Sequence, residues 1–98
     1  MKKIRWSPDA ADDLVRIIEY IRNDNDAAAQ RIARAALQRI ASLKQFPQLG
    51  RAGRVNGTRE LPLSPLPFVV VYRLKEEWIE IARVLHERDA GLDSARGL

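Results

Sequence analysis

Phe68-Val69-Val70-Val71-Tyr72-Arg73-Leu74 is the stretch that decides the fold. β-Branched and aromatic residues fill it, Lys75-Glu76-Glu77 follows as a charged turn, and residues 78–85 resume the β pattern. The spacing predicts an antiparallel hairpin. With a three-residue loop, Leu74 faces Trp78 and Tyr72 faces Glu80. Side chains alternate along each strand. One face would then carry Phe68, Val70, Tyr72, Leu74, Trp78, Ala82, Val84 and His86. The other would carry Val69, Val71, Arg73, Ile79, Ile81, Arg83 and Leu85. A two-residue loop would change this pairing.

Upstream, residues 58–63 read as a strand joined to the hairpin by the turn Ser64-Pro65-Leu66-Pro67. Before it lies a loop rich in Gly and Arg, with Arg51 and Arg54 between Gly50, Gly53 and Gly57. Such a loop is expected to be mobile. Pro47 ends a helix expected over residues 27–46, whose inner side is Ala29, Ala33, Ala36, Ile40 and Leu43. Asp26 is its expected cap. An earlier helix starts with Ser7 as N-cap, Pro8 in the first position and Asp9, Asp12 and Asp13 near the positive end of the helix dipole. Its apolar stripe is Leu14, Ile17, Ile18 and Ile21. A short polar break between two amphipathic helices gives an antiparallel hairpin. Residues 2–6 form a short first strand. The fold class is therefore α+β: a short N-terminal strand, a two-helix hairpin and a three-strand antiparallel meander. All 98 residues belong to one domain, with 87–98 as a loose polar tail. One helical hairpin covers one apolar sheet face. The other is left for a partner, for the tail, or for both.

The absence of cysteine excludes a disulfide framework and thiolate chemistry. The single histidine, His86, is a poor basis for a metal site. No metal and no cofactor are expected. The start Met1-Lys2-Lys3-Ile4-Arg5-Trp6-Ser7-Pro8 lacks the apolar core of a signal peptide, and no run approaches the ~20 apolar residues of a membrane span. The expected location is the cytoplasm, without membrane contact. A net charge of +4 and a pI near 10.0 favour nucleic acid or acidic protein surfaces as partners.

Trp6-Ser7-Pro8 with Ala11-Asp12-Asp13-Leu14, Ile18-Glu19-Tyr20-Ile21, and Leu43-Lys44-Gln45-Phe46-Pro47-Gln48-Leu49-Gly50-Arg51 form the first half of a motif series. Gly57-Thr58-Arg59-Glu60-Leu61, Val70-Val71-Tyr72-Arg73 and Arg83-Val84-Leu85-His86 complete it, in an order that spans nearly the whole chain. The series resembles the RelE/ParE superfamily of toxins. The resemblance implies the toxin of a type II toxin–antitoxin, or plasmid-stabilisation, module. Its partner would be an acidic cognate antitoxin, in a higher-order hetero-oligomer. Phe68, Val70, Tyr72 and Trp78 are the expected antitoxin contacts. RelE-like members cleave mRNA on the ribosome, whereas ParE-like members inhibit DNA gyrase.

A metal-free ribonuclease needs a base for the ribose hydroxyl, an acid for the leaving oxygen, and cations for the phosphorane charge. The candidates are Glu60 as base, His86 as acid, and Arg83 among the cations. Arg51, Arg54, Arg59, Arg73 and Arg88 are the expected target or nucleic-acid contacts. Against a nuclease, Phe68 and Val69 stand where RelE-like chains carry an arginine before the Val-Tyr pair. Arg51 and Arg54 replace loop lysines, and arginine is a poor proton shuttle. The parity of the strand puts Arg83 and His86 on opposite faces. The ending Leu85-His86-Glu87-Arg88-Asp89 is more similar to ParE-like chains. Gyrase inhibition is the expected activity, with ribosome-dependent mRNA cleavage as the alternative.

Overall fold

The computed structural model describes residues 1–90. β1 (Lys3–Trp6) leads into α1 (Pro8–Asp24) and α2 (Asp26–Ala41), then β2 (Arg51–Ala52), β3 (Arg59–Pro62), β4 (Phe68–Leu74) and β5 (Trp78–His86). The sheet order is β1-β5-β4-β3-β2. The strands are antiparallel except at β1, which runs parallel to β5. The α+β order therefore stands, with β2 as a further strand.

Each helix is capped as its sequence dictates. Ser7 Oγ accepts the Ala10 amide at 3.0 Å, and Asn25 Oδ1 accepts the Ala28 amide at 3.0 Å. Asn25 rather than Asp26 is thus the second cap. α2 stops at Ala41, and Ser42–Lys44 continues as a 3-10 turn ahead of Pro47. Ala36, Ile40 and Leu43 sink into the main core beside Ala10 of α1.

The hairpin register differs from the expected one. Leu74 pairs with Ile79 and Tyr72 with Ile81, because the loop is the two-residue alternative, Glu76-Glu77, closed by the Lys75 amide donating to the Trp78 carbonyl at 2.8 Å. Ile79 and Ile81 therefore face the helices, while Trp78 and Glu80 take the outer face. A bulge follows: Val71 pairs with Arg83, so Ala82 is the extra residue on β5. An extra residue resets the alternation, which returns Val84 to the helix side. The main core thus joins Leu61, Leu63, Val70, Tyr72, Ile79, Ile81 and Val84 to the helices.

This burial corrects two expected contacts. Val70 and Tyr72 are fully buried under the helical layer, so neither presents a surface to a partner in this conformation. Phe68 and Trp78 are half-buried. On the outer face Val69, Val71, Leu85 and Ala90 form a second, smaller cluster, with Ala82 packed against it. Ala90 belongs to a helical segment, 87–90, so the start of the expected loose tail already folds against that face. The rest of the tail lies outside the described residues. No helix among the described residues is long and apolar enough to cross a membrane.

Candidate functional site

Glu60, the expected base, sits on β3 opposite Val71 and is buried. Its Oε2 accepts the Arg54 amide at 3.0 Å. Its Oε1 lies 3.5 Å from Arg51 Nη2 and 3.8 Å from Arg54 Nε. The carboxylate therefore folds the Gly-Arg loop back onto the sheet. Arg51 also belongs to β2, and the Gly53 amide donates to the Thr58 carbonyl at 2.8 Å. The loop expected to be mobile is thus fastened from both ends. Gly57, at φ 83°, is the position where the turn needs glycine.

Tyr72 ties the same loop from beneath. Its hydroxyl donates to the Pro47 carbonyl at 2.8 Å and accepts the Gly50 amide at 2.9 Å. Burial pushes its phenol above the ordinary value, while the Gly50 amide and the Arg59 charge pull partly the other way. Arg59 donates to the Gly50 carbonyl at 2.6 Å. A Cβ on Gly50 would come within 2.7 Å of the Tyr72 ring, so this contact requires glycine.

On β5, Arg83 makes a two-point bond to Asp13 of α1, at 2.7 and 3.0 Å. Asp13 is buried and also accepts the Val84 amide at 3.0 Å. Ser7 Oγ donates to the carbonyl of the bulged Ala82 at 2.9 Å. Two side chains of the α1 start thus satisfy backbone groups at the bulge. Asp13, expected beside the helix dipole, instead anchors β5. The overlooked signal was an acidic residue on the buried side of the helix, between Ala10 and Ile17.

His86 pairs with Phe68 and meets its ring edge-on, with centroids 5.6 Å apart. Its Nδ1 accepts the Arg88 amide at 3.1 Å, which places the proton of the neutral ring on Nε2. Arg83 and His86 line one cavity of about 290 Å³ with Asp13, Arg16 and Asp89. The structure thus brings together two residues that strand parity had separated. Glu60 stays apart. It shares the outer face with Val71, whereas His86 shares its side with Phe68, and two strand spacings, about 10 Å, separate β3 from β5. Arg73 pairs with Glu80 at 3.5 Å, and exposed Arg88 lies 3.8 Å from Asp89. Trp78 carries the Arg5 guanidinium 4.1 Å from its ring centre.

Residues 4–91 match the family described as the ParE toxin of the type II toxin–antitoxin system, parDE. The chain is 36% identical over 85 residues to Y4kP of Sinorhizobium fredii, covering 87% of this chain and 88% of that one. It is 33% identical over 86 residues to Toxin RelE2 of Caulobacter vibrioides, covering 88% and 96%. A solved structure titled "Chromosomal ParDE TA system from P. aeruginosa" superposes with a TM-score of 0.81 at 27% identity, over 88% of this chain and 96% of that one. With the fold, the bulge-bound α1 and this match over nearly the whole chain, the protein belongs to the ParE toxin family of type II toxin–antitoxin systems.

Proposed function

We propose that the chain arrests growth by inhibiting DNA gyrase, acts in the cytoplasm within a stabilisation module, and is neutralised by an acidic antitoxin in a higher-order complex. The observation that carries the gyrase reading is the separation of Glu60 from His86 on opposite faces of the sheet. General acid–base catalysis needs both groups within hydrogen-bond reach of one substrate. Here the Glu60 carboxylate is engaged with its own loop, and the Arg83 fork is engaged with Asp13. A binding protein needs no such pair. The antitoxin partner rests on the family and on the +4 net charge. The ribosome-dependent mRNA endonuclease is the second reading, favoured by the cavity that holds Arg83, Arg16 and His86 together.

The test is expression of the toxin alone, with plasmid supercoiling and mRNA integrity followed in the same cells. Loss of supercoiling and induction of the DNA-damage response with intact mRNA is the expected result. Cleavage of ribosome-bound mRNA before any change in supercoiling would replace the first reading by the second.

A further inference from the structure

The positive charge of the chain is not spread evenly. Between Asp26 and Glu60 the sequence holds six arginines and one lysine and no acidic residue, so this segment carries more than the whole net charge of +4. Its second half is engaged: Glu60 holds Arg51 and Arg54, and Arg59 donates to the Gly50 carbonyl. The first half lies on α2. Arg31, Arg34 and Gln38, at spacings of three and four, form one exposed stripe opposite the buried Ala29, Ala36 and Ile40. Arg39 flanks the stripe, across a groove from residues 63–66. Among the described residues no carboxylate lies within ion-pair distance of Arg31, Arg34 or Arg39, whereas Arg22, Arg51, Arg54, Arg73, Arg83 and Arg88 each have one. The neighbouring α1 has the opposite character, with Asp9, Asp12, Asp13, Glu19 and Asp24 against Arg16 and Arg22.

We infer that the exposed face of α2 is a contact surface for the phosphate backbone of duplex DNA. A basic stripe along one helix is the electrostatic footprint of a nucleic-acid surface. Arginine keeps its charge and offers a planar fork that fits two phosphate oxygens at once. The remaining exposed positions of α2 suit the same partner. Ala27, Ala35 and Ala41 let the helix backbone come close, and Gln30 and Gln38 are side chains that hydrogen-bond base edges. The helix is 16 residues long, about 24 Å, and the major groove of B-form DNA admits a helix. The narrow major groove of an RNA duplex does not. The acidic α1 repels the same polymer, which restricts the contact to α2. This surface is separate from the gyrase reading, since it needs DNA alone, and it brings the toxin to the polymer on which a gyrase works.

The experiment measures binding of a short labelled DNA duplex to the purified toxin across a range of salt concentrations. The variants are Arg31→Gln, Arg34→Gln, Arg39→Gln, their triple combination, and Arg5→Gln. All four arginines are exposed, and Arg5 lies over Trp78 on the outer sheet face, away from α2. Glutamine keeps the helix propensity of arginine, and an unchanged melting curve verifies each fold. Three neutralised phosphates give a slope of log affinity against log salt of about −2.7 for the parent. Each single change on α2 should reduce that slope by about 0.9, and the triple variant should lose the salt-dependent binding. Arg5→Gln removes the same charge and should leave affinity and slope unchanged. A parent that does not bind the duplex at low salt would overturn the inference. So would an equal loss in Arg5→Gln, which would make the effect one of net charge. Tighter binding of an RNA of the same length would assign the stripe to RNA and overturn it. A triple variant that binds DNA like the parent but no longer binds the neighbouring antitoxin would assign the stripe to that protein and overturn it as well. None of these measurements involves gyrase, so the two readings fail separately.

Discussion

Arg83 and Asp13 are joined by two parallel hydrogen bonds, Nε to Oδ2 at 2.7 Å and Nη2 to Oδ1 at 3.0 Å. The pair bridges α1 and β5 beside the bulge at Ala82, where the strand ladder slips by one residue. A carboxylate that also holds the Val84 amide organises backbone as well as side chain. Asp13→Ala should destabilise the fold by about 1.5–3 kcal/mol, the scale of hydrogen bonds to a charged group. Arg83→Ala should cost less, because its side chain keeps 27% exposure and water compensates part of the loss. In urea denaturation the double variant should cost less than the sum of the two singles. Additive losses would show that the pair is not coupled.

Tyr72→Phe keeps the ring in the core and removes both loop bonds. The Gly50 amide and Pro47 carbonyl lose their partner. The expected cost is about 1–3 kcal/mol, the penalty of an unsatisfied buried polar group. Faster hydrogen exchange at Gly50 should accompany it. A variant as stable as the parent, with unchanged exchange, would mean that β2 and Glu60 hold the loop without the phenol.

The same phenol gives an alkaline signature. Its folded value is raised above the ordinary 10.0, principally by burial. The unfolded chain therefore releases this proton first as pH rises, and stability falls with pH above about 10. Below that pH the contribution is fully present. Stability measured across the alkaline range should decline more steeply for the parent than for Tyr72→Phe. Parallel curves would remove Tyr72 as the cause.

His86→Ala separates the two modes of action. For a gyrase inhibitor the variant should stay toxic at matched protein level, with a stability loss of about 1 kcal/mol from the Phe68 contact and the Arg88 amide. For a nuclease with His86 as general acid, cleavage should drop by about 10²–10⁴-fold while ribosome binding persists. Growth arrest, gyrase activity and mRNA cleavage measured side by side discriminate between them.

The elements that follow from periodicity were readable in the sequence: two helices, the strong β4, and the strand before it. Their caps were readable at Ser7 because Ser-Pro-Asp is a local signal. β2 was not, since two residues carry no period and its pairing depends on Arg51 meeting Glu60 across space. The faces of β5 were misassigned for a similar reason. A two-residue loop in place of a three-residue one and a bulge that absorbs Ala82 each shift the alternation by one, and neither leaves a composition mark. That shift moved Ile79 and Ile81 under the helices. Val70 and Tyr72 were placed on the same face as Phe68 correctly, but an apolar face does not announce whether a helix or a partner covers it. The arginines were visible as residues. Their partners were not, because Asp13 and Glu60 lie on other elements of the fold.

β1 and β5 lie side by side although Ser7 and Ala82 are 75 positions apart. A ribosome delivers the first strand long before the one it must pair with, and the helices must wait likewise for the bulge that receives Ser7 and Asp13. Such distant pairing is slow to form. Toxicity is therefore a property of the finished chain alone. A nonsense codon anywhere before Trp78 deprives the sheet of β5, the strand that joins β1 to β4, so a lineage escaping this toxin has most of the reading frame in which to do so.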